Sequence, residues 1–300
     1  MFKGVIVPLI TPFKEDYTID YNALRWLAQY LVNRGINGLF PISTTGEFIH
    51  LSFEEKIAIT KTIVEEVGGK TKIIPGASEN TTLMVLRLAK EYADLGVDGI
   101  VVTPPYYFKY DFNGLWKHYS IIAERTDLPI LVYNIPSLTG NNIPVELVMR
   151  LAKEYSNIVG IKVTYDSLSY MRRLILTVKQ ERKDFSVLTG SSDYLLPTLI
   201  LGGDGGILAL AHIAPRICTG IVKAWKDRAY EKAFDLYIKL NMLSELYDIA
   251  TSIPSVIKTA LTLLDTPIKP IVRPPLRTES EENVKKIKEI LRRVGIENLM

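Results

Sequence analysis

Lys162 stands in the middle of an apolar run, NIVGIKVTYD at residues 157–166, flanked by Ile161 and Val163. Lysine is rarely fully buried unless something compensates for it. Two ordinary explanations exist: the side chain snorkels to solvent, or it pairs with a carboxylate. The third is chemical. An amine held in a desolvated site has a lowered pKa, so its neutral form is present near pH 7 and can attack a ketone. The protonated imine that results is an electron sink, through which an adjacent carbon–carbon bond is made or cut. Such chemistry needs a proton shuttle, and Tyr133, ending the apolar run PILVY, offers a phenol. It also needs a grip on a keto acid, which the hydroxyls and backbone N–H groups of Thr44 and Thr45 in STTGE (43–47) can give a carboxylate. Taken singly, the threonines also read as a turn and Tyr133 as a core tyrosine bonded to backbone.

Positioning these groups requires a scaffold. β-branched runs at 4–9, 38–42, 72–76, 98–103, 129–133, 158–163, 186–189 and 204–209 read as eight strands, separated by helical patterns. In residues 20–35, Leu24, Leu27, Ala28 and Leu31 share one face, with Asp20 as N-cap and Gly35 as stop. Ser52 and Glu55 form a capping-box signature ahead of 53–69, and a further helix covers 81–96. Eight βα units predict a closed (β/α)8 barrel over 1–225, where function gathers at the C-terminal ends of the strands. STTGE, TPPYY (103–107), Tyr133 with NIPSLTG, Lys162 and LTGSSD (188–193) all fall at such ends. GGDGG (202–206) leads into a strand and not a helix, so it reads as a tight turn, not a phosphate cradle. From 226 to 300 the strand signal stops. Three helical stretches, broken by Pro254 and by 267–275, form an extension expected to pack on the barrel.

Composition excludes several classes. Lysine plus arginine number 36 against 33 acids, a formal net charge of +3, with no basic stripe, so no nucleic-acid partner is expected. No apolar stretch reaches about 18 residues, which predicts no membrane partner. A signal peptide is a poor reading of the N-terminus, and the single Cys218 suits a reducing, cytoplasmic compartment. The three histidines are scattered without i, i+4 spacing, which predicts no zinc-type metal site, and the imine route calls for no cofactor.

GVIVPLITPF (4–13), STTGE, VTPPYY (102–107), YNIPSLTG (133–140), GIKVT (160–164) and GGDGGI (202–207) together resemble the dihydrodipicolinate synthase / N-acetylneuraminate lyase superfamily of pyruvate-dependent class I aldolases. The resemblance implies Lys162 as Schiff-base lysine and Tyr133 as proton-transfer tyrosine. It implies Thr45 as the hydroxyl linking that tyrosine to Tyr107 of a neighbouring subunit, in a homotetramer built from tight dimers. Thr44 and Thr45 would hold the pyruvate carboxylate, with backbone near Gly190 and Ile207 lining the pocket and Thr164 facing the sugar-derived part. Dihydrodipicolinate synthases usually carry Arg where this chain has Leu138, removing a bidentate carboxylate partner. The K-x-T pattern ending at Thr164 is similar to 2-keto-3-deoxygluconate aldolases. Sialic-acid lyases differ at Ser192–Asp193 and Ala209, and Ser43 replaces a customary glycine. The expected reaction is cleavage of a 2-keto-3-deoxy sugar acid to pyruvate and an aldehyde. Dihydrodipicolinate synthase, or another lyase or dehydratase of the superfamily, is the alternative.

Overall fold

The structure, a computed structural model, describes residues 2–296. Met1 and residues 297–300, the outer ends of the two segments assigned from sequence, lie outside the described residues. Eight strands alternate with helices: β1 (Gly4–Pro8), α1 (Tyr21–Asn33), β2 (Gly38–Phe40), α2 (Phe53–Val67), β3 (Lys72–Ile73), α3 (Thr82–Asp94), β4 (Ile100–Val102), α4 (Phe112–Arg125) and β5 (Ile130–Asn134). Then follow the short α5 (Pro136–Thr139), α6 (Val145–Glu154), β6 (Ile158–Val163), α7 (Leu168–Glu181), β7 (Ser186–Thr189), α8 (Leu195–Ile200), β8 (Gly205–Ile207) and α9 (Pro215–Lys226). The chain ends with α10 (Tyr230–Ser244), α11 (Leu246–Ile249), α12 (Ile253–Leu263) and α13 (Glu281–Val294).

All strands are parallel, in the order β3-β2-β1-β8-β7-β6-β5-β4. The sheet curls closed between its outer members through a bridge of Gly76 with Val101. There the Ala77 N–H donates to the Val101 carbonyl at 2.9 Å and the Val101 N–H to Pro75 at 3.0 Å. Closure leaves no free edge and makes two apolar layers. One, including Ile6, Phe40, Ile74, Val101, Leu131, Tyr133, Leu188 and Ile207, fills the barrel; the other lies between strands and helices.

The local signals act as expected at several helix ends. Asp20 accepts the Ala23 N–H, the Ser52–Glu55 capping box forms on α2, and Gly35 takes the left-handed conformation (φ +77°) after α1. Several strands are shorter than the apolar runs suggest. β2 gives way at Pro41 and β3 before Pro75, because proline has no N–H for the ladder. Pro254 does not break a helix but lies in the first turn of α12, where its missing N–H is no loss; the break falls at 250–252. The stretch 230–250 is interrupted at Glu245, which separates α10 from α11.

Candidate active site

β6 carries Lys162 toward the end of the barrel where the strands finish. Its Cα is in register with Tyr133 of β5 and Leu188 of β7. The side chain is buried, only 4% exposed, so it does not snorkel. Nor does it pair with an acid. Among the described residues three lysines are buried, namely Lys56, Lys162 and Lys258. Lys56 meets Glu79, and Lys258 meets Glu47 at 2.6 Å. Lys162 has aromatic neighbours instead. Its Nζ lies 4.1 Å from the centre of the Tyr133 ring and 5.1 Å from that of Phe40, and the two rings meet edge to face. Burial holds the ammonium below its ordinary value of 10.5, with Tyr133 opposing part of the shift. A cation–π contact recovers about 0.5–2 kcal/mol, much less than a lost hydration shell. Both ordinary explanations of the residue therefore fail, and an amine with increased neutral population remains.

Tyr133 is 3% exposed, and its hydroxyl accepts a hydrogen bond from Thr164 Oγ1 at 3.3 Å rather than bonding to backbone. Thr164 is held by its N–H, which donates to the Asn134 carbonyl at 2.9 Å, so lysine, tyrosine and threonine lie across two paired strands. Gly190 closes over this group, its own N–H donating to Val163 at 2.6 Å. A Cβ there would lie 1.9 Å from Thr164 Oγ1 and 2.8 Å from Lys162 Cε, so only glycine lets the backbone come this near. Ile207 is fully buried in the barrel layer that contains Tyr133.

Thr44 and Thr45 follow β2, the strand whose Phe40 packs on both Lys162 and Tyr133. Thr44 is half-buried and Thr45 buried. Their loop is tightly bonded. Ser43 Oγ donates to Leu9 and accepts the Gly46 N–H, while Thr11 donates to Gly46 at 2.7 Å. Ser43 thus has a turn-holding role of its own. The hydrogen bond on the Tyr133 hydroxyl comes from Thr164, and no bond links Tyr133 to Thr45 among those of the described residues. Tyr107 is not brought to the group within the chain. It is 88% exposed, with φ +85°, beside Phe108.

Beyond Thr164 opens a cleft of about 650 Å³, lined also by Pro136, Ser137, Tyr165, Asp166, Ser191, Asp193 and Tyr194. The Tyr194 hydroxyl is bonded to Asp166. The lining contains hydroxyls and carboxylates and no cation. Leu138, 63% exposed on α5, does not line it. The cleft, Phe40 and the Gly190 contact went unremarked as a set in the sequence; only the position of TGSSD after a strand hinted at the first. The histidines are engaged locally. His212 accepts the Ile10 N–H and meets the Ala209 carbonyl, and His118 meets the Thr82 hydroxyl; burial pushes both down to about 4.

The closed parallel barrel and a mouth built round an unpaired buried lysine define a (β/α)8 enzyme. The chain belongs to the Dihydrodipicolinate synthetase family, whose sequence profile matches residues 1–294, and is a carbon–carbon lyase of that family. It is 50% identical over 295 residues to an uncharacterized DapA-like lyase of Thermofilum pendens, covering 98% of each chain. A probable 2-dehydro-3-deoxy-D-pentonate aldolase of Escherichia coli, YjhH, is 38% identical over 98% of each. The crystal structure of E. coli YagE in complex with pyruvate superimposes with a TM-score of 0.96 at 34% identity, over 99% of both chains. Among the described residues no helix is long and apolar enough to cross a membrane.

Proposed function

We propose that this lyase is a Schiff-base, pyruvate-dependent aldolase that reversibly cleaves a 2-keto-3-deoxy sugar acid to pyruvate and an aldehyde. The observation that carries the reading is Lys162, a buried lysine facing two aromatic rings and no carboxylate. Its neutral amine attacks the C2 ketone, and loss of water leaves an iminium. The C3–C4 bond breaks as its electrons move toward the iminium nitrogen. Tyr133, whose hydroxyl is oriented by Thr164, gives its proton to the departing carbinolamine hydroxyl and, as the phenolate, then takes the proton of the C4 hydroxyl. The aldehyde leaves, the enamine takes a proton at C3, and water releases pyruvate from Lys162. Hydroxyls and N–H groups of Thr44 and Thr45 hold the carboxylate, beside Gly190 and Ile207.

The cleft past Thr164 supports a polyhydroxylated tail. Ser137, Ser191, Asp166 and Asp193 supply acceptors and hydroxyls for sugar O–H groups, and no cation offers itself to a second carboxylate. YjhH carries the name of a 2-dehydro-3-deoxy sugar acid aldolase, which agrees with this choice. The family's description favours a second reading, condensation of pyruvate with aspartate semialdehyde as in dihydrodipicolinate synthase. Leu138 in place of an arginine counts against it. The exposed Tyr107 and Phe108 are consistent with a neighbouring subunit completing the mouth, in a cytoplasmic homotetramer. Two measurements test the assignment. Borohydride reduction in the presence of pyruvate should add mass at Lys162. Pyruvate release should be seen from 2-keto-3-deoxy sugar acids, screened with their phosphates and N-acetylneuraminate, and set beside condensation with aspartate semialdehyde. If the parent protein gains no mass at residue 162, the reading is wrong.

A further inference from the structure

A buried ion pair ties the C-terminal helices to the loop that carries Thr44 and Thr45. Glu47 closes that loop in the left-handed region, at φ +58° and ψ +36°, which a side chain enters at a cost of about 1–2 kcal/mol. Its N–H donates to the Thr44 carbonyl at 3.1 Å, so its backbone bears directly on the threonine pair. Its side chain is fully buried, and its carboxylate has two partners from the far end of the chain. Lys258 Nζ, on α12, donates to Oε1 at 2.6 Å, and the Arg273 backbone N–H donates to Oε2 at 2.9 Å. Lys258 is itself fully buried and also donates to the Ile271 carbonyl at 2.7 Å. Arg273 continues outward to Glu55 and to the carbonyls of His50 and Tyr17. Two fully buried charges are not needed for cohesion, because an apolar pair of similar volume is often as stabilising. What a directional pair provides is one fixed orientation of Glu47.

We infer that Glu47 and Lys258 are positioning residues: the pair locks the Thr44–Thr45 loop in the geometry that receives the keto-acid carboxylate. The C-terminal helices therefore act on substrate recognition from a distance, without touching substrate. The inference rests on the imine reading above, and the test separates the two. The readout is the second-order rate of borohydride trapping at Lys162 with pyruvate, divided by the same rate with hydroxyacetone, a ketone lacking the carboxylate. In the Glu47→Leu/Lys258→Met double variant this ratio should fall about tenfold, with the hydroxyacetone rate nearly unchanged. General structural damage would lower both rates and leave the ratio alone. A ratio that falls less than about fivefold overturns the inference. Should the double variant fail to fold, Glu47→Gln, which keeps the shape and one acceptor, is read on the same ratio, with about twofold as the threshold. Absence of trapping in the parent protein would instead strike at the imine reading itself.

Discussion

Replacing Lys162 with methionine should remove turnover and raise stability together. Methionine is close to lysine in length and volume, so the substitution leaves no large cavity among Phe40, Tyr133 and the backbone of Gly190. It removes a polar group that burial has stripped of water and that no carboxylate repays. A buried polar group without a charged partner costs about 1–3 kcal/mol in proteins, and the aromatic contacts, with the hydrogen bond to the Tyr133 side chain, return about 0.5–2 of that. A net gain of up to about 1 kcal/mol follows, or a rise of up to about 2 °C in Tm for a chain of this size. The gain depends on pH in a defined direction. Because burial lowers the folded-state pKa below the ordinary 10.5, the unfolded chain holds more protons in between, and the parent gains stability as pH rises through that window. The advantage of Lys162→Met is therefore largest at low pH and shrinks toward pH 10.5. Calorimetry at matched protein concentration, at pH 7 and pH 9.5, measures both effects. A variant that melts several degrees below the parent at pH 7 would refute the claim that this lysine is held against its own solvation.

Tyr133→Phe keeps the ring that faces Lys162 but loses the hydroxyl bonded by Thr164. Turnover should drop about 10²–10⁴-fold, the usual span for a general acid–base group, while pyruvate trapping persists; a loss below tenfold would remove the tyrosine from that role. Gly190→Ala puts a methyl group 1.9 Å from Thr164 Oγ1 and 2.8 Å from Lys162 Cε, so kcat/KM should fall at least about tenfold. Near-normal kinetics would mean that the backbone there has slack that the structure denies it. Leu138→Arg, next to the cleft-lining Ser137 and with a side chain long enough to reach past it, should bring a cation to the mouth and improve kcat/KM for aspartate semialdehyde. An unchanged value would show that this position alone does not set specificity.

What the sequence disclosed depended on whether the relevant physics was local. Caps at Asp20 and Ser52 are decided within three residues, and both formed as read. Lys162 could be singled out because an apolar strand makes any charge conspicuous. Strand ends were harder, since they turn on which carbonyl faces which neighbour, and Pro41 and Pro75 shorten β2 and β3. Pro254 misled because the same residue that ends a helix interior is welcome in a first turn. The Glu47–Lys258 bond joins residues 211 positions apart, and no periodicity or spacing carries such information. The resemblance implies that backbone near Gly190 lines the pocket, but its need for a missing methyl rests on two side chains, Lys162 and Thr164, that only the fold brings against it.

Thr164 connects the parts that a cleaving enzyme must keep in phase. Its backbone is fixed to β5, its hydroxyl bonds Tyr133, its side chain packs under Gly190, and it lines the cleft. On the proposed reading, a hydroxylated tail in that cleft would approach the same threonine that bonds the tyrosine. If the hydroxyl that meets it is the one on C4, bonding to Thr164 would place that group beside the phenol proposed to take its proton, coupling recognition of the sugar-derived portion to bond cleavage. A substrate lacking such a hydroxyl leaves Thr164 committed to Tyr133 and the cleft's carboxylates without partners. Discrimination against it should then fall on kcat as well as on KM, because the same contact serves binding and proton transfer.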